Sequence, residues 1–134
     1  TQVDLGRALR RGQRLEAASG KTFQTFNPAT GEEIARVAEA GAEDVDGAVK
    51  AARRALSGPW GKMSPAEREK VLHTLADLIE KNADALAQLE SLDNGKTSRE
   101  AKGGDLPLSV GLLRYFAGWP TKIHGVSSGV SSIC

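Results

Sequence analysis

Cysteine is almost absent from this 134-residue chain, whose single thiol is the final residue, Cys134. One thiol can build neither an internal disulfide framework nor a thiolate-ligated metal cluster. Its setting, Ser131-Ser132-Ile133-Cys134, supplies neither the depressed pKa nor the oxyanion donors that a catalytic thiolate needs, so it reads as a free terminal thiol. Histidine is nearly as scarce, limited to His73 and His124. Neither has cysteine or carboxylate neighbours at metal-ligand spacing, which removes histidine-based metal chemistry from the reading. Aromatic residues make up only 4% of a chain that is 40% hydrophobic, leaving few large anchors for a core.

Charge of one sign is missing as well. Lys plus Arg total 18 against 17 Asp plus Glu, a net charge of +1, so no global field draws in nucleic acid or an acidic membrane. Arg7, Arg10, Arg11 and Arg14 form a local basic cluster, but no aromatic residue is interleaved for base stacking, and it reads as a solvated segment. Apolar runs stay well short of the roughly 20 residues of a membrane span, and no signal peptide is evident, which predicts a soluble, cytoplasmic chain with neither nucleic-acid nor membrane partners. Gly103-Gly104 before Asp105 lacks the G-x-G-x-x-G pattern and the preceding strand of a phosphate cradle, and reads instead as a helix break and cap.

What is present organises into short strands followed by helices. Leu5 and Leu9 are spaced for a brief helical turn. Gln13 to Ala17, Thr22 to Phe26 and Glu33 to Val37 read as three strands of a small antiparallel meander, the last reached through Asn27-Pro28-Ala29-Thr30-Gly31. After Gly41 the period becomes helical, with Val45, Ala48, Val49, Ala52 and Leu56 on one face and Gly58-Pro59 as the stop. Ser64-Pro65-Ala66-Glu67 is a capping box, followed by the stripe Val71, Leu72, Leu75, Leu78 and Ile79. Asn82 recaps a further stretch carrying Leu86, Leu89 and Leu92 to a stop at Asn94-Gly95. A third helix is expected from about Asp105, with Leu106, Val110, Leu113 and Ala117 on one face and a stop near Gly118 and Pro120. The fold class expected is therefore mostly α, with three main helices, a small N-terminal strand unit and no complete Rossmann sheet. The expected organisation is an irregular basic segment over 1–12, a folded unit over 13–125 and a tail over 126–134.

Six stretches, in order and register, resemble the N-terminal region of the aldehyde dehydrogenase superfamily. They are Phe26 to Glu32, Ala42 to Asp46, Ser64 to Arg68, Ala76 to Glu80, Asp93 to Lys96 and Tyr115 to Trp119. The resemblance departs from the family at Arg14 and Arg10-Arg11, and it fades after Gly125. It implies a parent that oxidises aldehydes with NAD or NADP through a cysteine, a glutamate and a nearby asparagine, all of which are expected downstream of position 134. The chain is thus expected to be a truncated member, inactive and without cofactor by itself, part of the family's NAD-binding domain. Self-association, or docking on a full-length dehydrogenase as an interaction module, is the alternative. The resemblance also implies a monovalent-cation site from Asp93 with the main-chain carbonyls of Thr25 and Phe26, and a substrate-tunnel mouth at Gly104 and Leu108.

Overall fold

The computed structural model describes residues 8–10 and 13–125. The Val126 to Cys134 tail, Cys134 itself and most of the basic N-terminal segment lie outside the described residues.

Two separate antiparallel hairpins replace the expected meander. β1 (Ala8–Arg10) pairs with β2 (Gln13–Leu15), Ala8 opposite Leu15, so the Leu5/Leu9 spacing does not continue into a helix at Ala8. β3 (Thr22–Phe26) pairs with β4 (Glu33–Ala38) in a second sheet. The expected strand Gln13 to Ala17 ends at Leu15 because the following backbone is claimed elsewhere. Ala18 N–H donates to the Asp44 carboxylate at 3.0 Å, and Gly20 N–H turns back onto the Ala17 carbonyl at 2.9 Å. A donor held by a side chain is lost to the ladder of a third strand.

The β3–β4 loop is built as its sequence suggests. Asn27 Oδ1 accepts from Ala29 N–H at 2.9 Å, Gly31 N–H donates to the Asn27 carbonyl at 2.7 Å, and Gly31 takes φ 74°. The ladder slips between Thr25 and Phe26, where a bulge interrupts the pairing.

α1 (Ala42–Ser57) starts where Asp44 Oδ2 accepts the Gly41 N–H at 3.0 Å, so one carboxylate both starts the helix and fastens the Ala18 turn. Its apolar face is as periodic as expected yet uncovered, with Val45 57% and Leu56 69% exposed. After it comes a short helix the sequence did not announce, α2 (Pro59–Lys62). Gly61 is obligatory there, because a Cβ would lie 1.7 Å from the Leu56 carbonyl oxygen.

α3 (Pro65–Lys81) begins at the expected capping box, Ser64 Oγ accepting Glu67 N–H at 3.3 Å and Glu67 Oε2 accepting Ser64 N–H at 2.7 Å. Asn82 closes α3 by donating Nδ2 to the Leu78 carbonyl at 2.7 Å, and α4 (Ala83–Asn94) follows without a side-chain cap of its own. Gly95 then takes φ 84° and ends α4.

The third helical run starts well before Asp105. Thr97 Oγ1 accepts Glu100 N–H at 3.2 Å in a second capping box, opening α5 (Ser98–Glu100). A widened π turn over Ala101–Asp105 leads without interruption into α6 (Leu106–Ala117). Gly103-Gly104 therefore breaks nothing, contrary to the expectation of a break and cap. Pro107 has no N–H and its ring crowds the preceding turn, so widening that turn lets the helix continue through it. A single 3₁₀ turn, Pro120–Lys122, ends the run where Gly118 and Pro120 forecast it.

α6 packs chiefly on α3, and the core between elements is made of small residues. Ala76, Ala101 and Ala117 are fully buried, with Ala87, Val110 and Ala17 close behind. Arg114 Nη2 spans to α3 from outside the seam, donating to Asp77 at 2.8 Å and Glu80 at 2.6 Å. No helix of the described residues is long and apolar enough to cross a membrane.

Candidate functional site

An open groove of about 820 Å³ separates the β3–β4 hairpin from α4 and the start of α6. Strand alternation turns Phe23 and Thr25 toward it from β3, with Val37 opposite Phe23 on β4. Leu86, Leu89 and Asp93 face it from α4, at the spacing of one helix side. The end of α4 abuts the β3–β4 loop, where a Cβ on Gly95 would come within 2.8 Å of Pro28 Cγ. The groove is thus apolar along its length and charged at one end.

That charged end holds Lys96, whose Nζ is paired with the Asp105 carboxylate and lies 4.0 Å from Glu90 Oε1. The hydrogen bond that the Lys96 ammonium donates to Asp105 holds it above its ordinary pKa, against a smaller opposing effect of burial. Sequence reading missed this cluster, because Lys96 and Asp105 meet only through the π turn. Glu100, held by the hydroxyl and backbone of Thr97, is pulled below the usual carboxylate range.

The structure brings together part of the cation set. Thr25 and Asp93 line the same groove, while the Phe26 side chain is 51% exposed beside it. The bulge falls between Thr25 and Phe26, the two residues whose carbonyls the resemblance names, and a broken ladder leaves main-chain oxygen there for other partners. A carboxylate with carbonyl oxygens is a hard donor set, so the residues present fit a hard cation. Among the described residues no group of three or more His, Cys, Asp and Glu is placed to hold a metal ion. His73 Nε2 lies 3.8 Å from Glu69, one turn earlier on α3, and His124 is exposed.

Gly104 and Leu108 do not join the groove. A Cβ on Gly104 would meet only open space, and Leu108 is 65% exposed. Leu108 begins a bare stripe that continues through Leu112, Tyr115 and Trp119, the last two rings stacked edge-on with centroids 6.0 Å apart.

This layout, two N-terminal hairpins followed by helices in which α6 packs on α3 and ends in Arg-Tyr-Phe-Ala before Gly118-Trp119, recurs in known proteins. The profile of the "Aldehyde dehydrogenase family" matches residues 15–132, extending beyond Gly125 into the segment read from sequence as a separate tail. Aldehyde dehydrogenase family 2 member B4, mitochondrial, from Arabidopsis thaliana is 50% identical over 127 residues, 94% of this chain and 24% of its own length. Benzaldehyde dehydrogenase, mitochondrial, from Antirrhinum majus is 48% identical over 93% of this chain and 24% of its own. The NAD+ complex structure of the aldehyde dehydrogenase from Bacillus cereus superposes with a TM-score of 0.91 at 48% identity, covering 96% of this chain and 26% of that one. The chain belongs to the aldehyde dehydrogenase family, and it spans about a quarter of the length of these relatives.

Proposed function

We propose that this chain supplies the N-terminal part of the dinucleotide-binding domain of an NAD(P)-dependent aldehyde dehydrogenase and carries no aldehyde oxidation of its own. The observation behind the reading is the family match over residues 15–132 in a chain that spans 24% of a relative's length. In support, the sequence has no glycine-rich strand-to-helix turn for a pyrophosphate and no residue set for thiolate chemistry. NAD or NADP supplies hydride acceptance in such an enzyme. This chain's own contribution is shape: the β3–β4 hairpin walls one side of the groove, and α4 with the start of α6 walls the other.

Within this reading Asp93 and the carbonyls of Thr25 and Phe26 hold a monovalent cation that stiffens the junction of hairpin and α4. Gly104 and Leu108 border the route by which an aldehyde enters. The balanced charge supports a chain without nucleic-acid or membrane partners, and the cytoplasm is the compartment proposed. A second reading rests on the bare stripe of Leu108, Leu112, Tyr115 and Trp119. On that reading the chain self-associates or docks onto a full-length dehydrogenase in place of the equivalent segment.

The purified chain is to be assayed for NADH and NADPH production with short aliphatic and aromatic aldehydes, and for cofactor binding by calorimetry. Neither is expected. The chain is then mixed with a relative's polypeptide that lacks the matched segment, and restored turnover is the expected result. Turnover by the chain alone that disappears in Cys134→Ala would overturn the proposal. Stable capture of an intact dehydrogenase, with no rescue of the shortened one, would favour the docking reading.

A further inference from the structure

We propose that Asn94 is a deamidation site that the native turn holds closed, so that opening of the α4 C-terminus commits the chain irreversibly to a more acidic, loosened turn. The chain has three asparagines, in the pairs Asn27-Pro28, Asn82-Ala83 and Asn94-Gly95. Deamidation needs the following backbone nitrogen to attack the side-chain carbonyl carbon. Pro28 has no N–H to give up, and the Ala83 methyl hinders the approach, whereas Gly95 offers an unhindered amide.

The fold itself forces glycine at this place. Gly95 sits at φ 84°, and any Cβ there would lie 2.8 Å from Pro28 Cγ. Chemical vulnerability is therefore tied to the contact between the end of α4 and the β3–β4 loop, and no substitution at 95 relieves one without straining the other.

Four hydrogen bonds oppose the attack in the folded state. Gly95 N–H, the prospective nucleophile, is held by the Ser91 carbonyl at 3.0 Å. Asn94 is gripped at both ends of its carboxamide, with Nδ2 donating to Glu90 Oε1 at 2.8 Å and Oδ1 accepting Lys96 N–H at 2.9 Å. Ser91 Oγ closes the turn on the Lys96 carbonyl at 2.6 Å. Both reacting groups must let go of their partners before the nitrogen can reach Cγ, so reaction requires local opening of the helix end.

In the opened turn the Gly95 N to Asn94 Cγ bond forms and the Cγ–Nδ2 bond breaks, Nδ2 leaving as ammonia with the proton of the Gly95 amide. Water then opens the five-membered imide at either carbonyl, returning a proton to Gly95 nitrogen and leaving aspartate or its β-linked isomer. Aspartate places a carboxylate where Nδ2 donated to Glu90, and the β-linked isomer instead frees the former main-chain carbonyl as a carboxylate, in both cases next to Asp93 and at the negative end of the α4 dipole. The β-linked isomer also adds a methylene to the main chain and lifts Gly95 from Pro28.

The test incubates the whole chain at mildly alkaline pH, natively and in concentrated urea, in heavy-oxygen water, with peptide mapping of all three asparagines. Asn94 is expected to convert in urea and at least about tenfold more slowly natively, as a local opening equilibrium of that size dictates. Asn27 and Asn82 are expected to stay intact in both. Glu90→Ala, at a half-buried position on the groove, should speed native conversion severalfold and leave the urea rate unchanged. Equal rates with and without urea, no conversion in urea, or a native rate indifferent to Glu90→Ala would each overturn the proposal.

Discussion

The α3–α6 seam is the part of this molecule where one atom group too many has a calculable effect. Ala76 on α3 and Ala117 on α6 are both 0% exposed, and no large side chain is fully buried anywhere among the described residues. Leucine at Ala76 must push its added carbons into a seam that has no room, while Arg114 pins α6 to Asp77 and Glu80 directly beside it. Overpacking of this kind costs about 1–3 kcal/mol. With an unfolding entropy of about 2.1 cal/mol/K per residue over 134 residues, Tm should fall by about 4 to 11 °C. Ala85→Leu, at an exposed position of α4, is the matched control and should shift stability by no more than about 0.5 kcal/mol. Thermal unfolding followed by circular dichroism reads both. If Ala76→Leu melts at or above the parent temperature, the seam has spare volume and the alanine core is not what sets the helix spacing.

Three further outcomes are expected. Ser64→Ala removes the α3 cap and should cost about 1 kcal/mol in chemical denaturation, and an unchanged midpoint would mean that α3 does not depend on its cap. Glu67 is held below the usual carboxylate range by the backbone and hydroxyl of Ser64, and Glu100 by the hydroxyl and backbone of Thr97. Folded values below the unfolded ones stabilise the fold above the ordinary carboxylate pKa, and that contribution is lost as pH falls through the folded values. The acid limb of the Tm profile should flatten in Glu67→Gln/Glu100→Gln, and an identical limb refutes the linkage. The bare stripe of α6 should bind a hydrophobic dye and drive self-association on sizing, both reduced by Leu112→Ser, and a dye-silent monomer contradicts this.

Local punctuation was legible in the sequence, and tertiary choices were not. Ser64-Pro65-Ala66-Glu67, the Asn27 to Gly31 loop and the Gly95 stop each satisfy backbone groups within a few residues, so residue type alone locates them. Thr97-Ser98-Arg99-Glu100 carries the same capping signature, but Gly103-Gly104 shortly after it has the composition of a break, and only the π turn carries the helix through. The pairing of β1 with β2, and the loss of residues 16–17 to a turn tied to Asp44, depend on a partner 26 positions away from Ala18. Thr25 and Asp93 came from the resemblance, and the structure sets them on one groove. Lys96 with Asp105 carried no signal until the π turn brought them together.

Only part of the expected α3 stripe is covered. Val71, Leu75 and Leu78 make the stronger stripe by hydrophobicity, yet they are 41%, 44% and 51% exposed. The better covered side of α3 is one residue further round, through the half-buried Leu72 and Ile79 of the expected stripe and the buried Ala76, which was not part of it. Hydrophobic scale values cannot find it, because a close helix crossing selects small residues for approach and not large ones for area. A helix with one small-residue face against a neighbour and a second aliphatic face in the open is built to lie between two layers, and the described residues supply one. The same holds for α1, whose Val45, Val49 and Leu56 have the period of a buried face and no cover. Complete burial of such a side chain is worth about 1.5–3 kcal/mol, so these partly exposed faces hold unused stabilisation. We therefore expect that covering these faces with a second layer raises the stability of the chain.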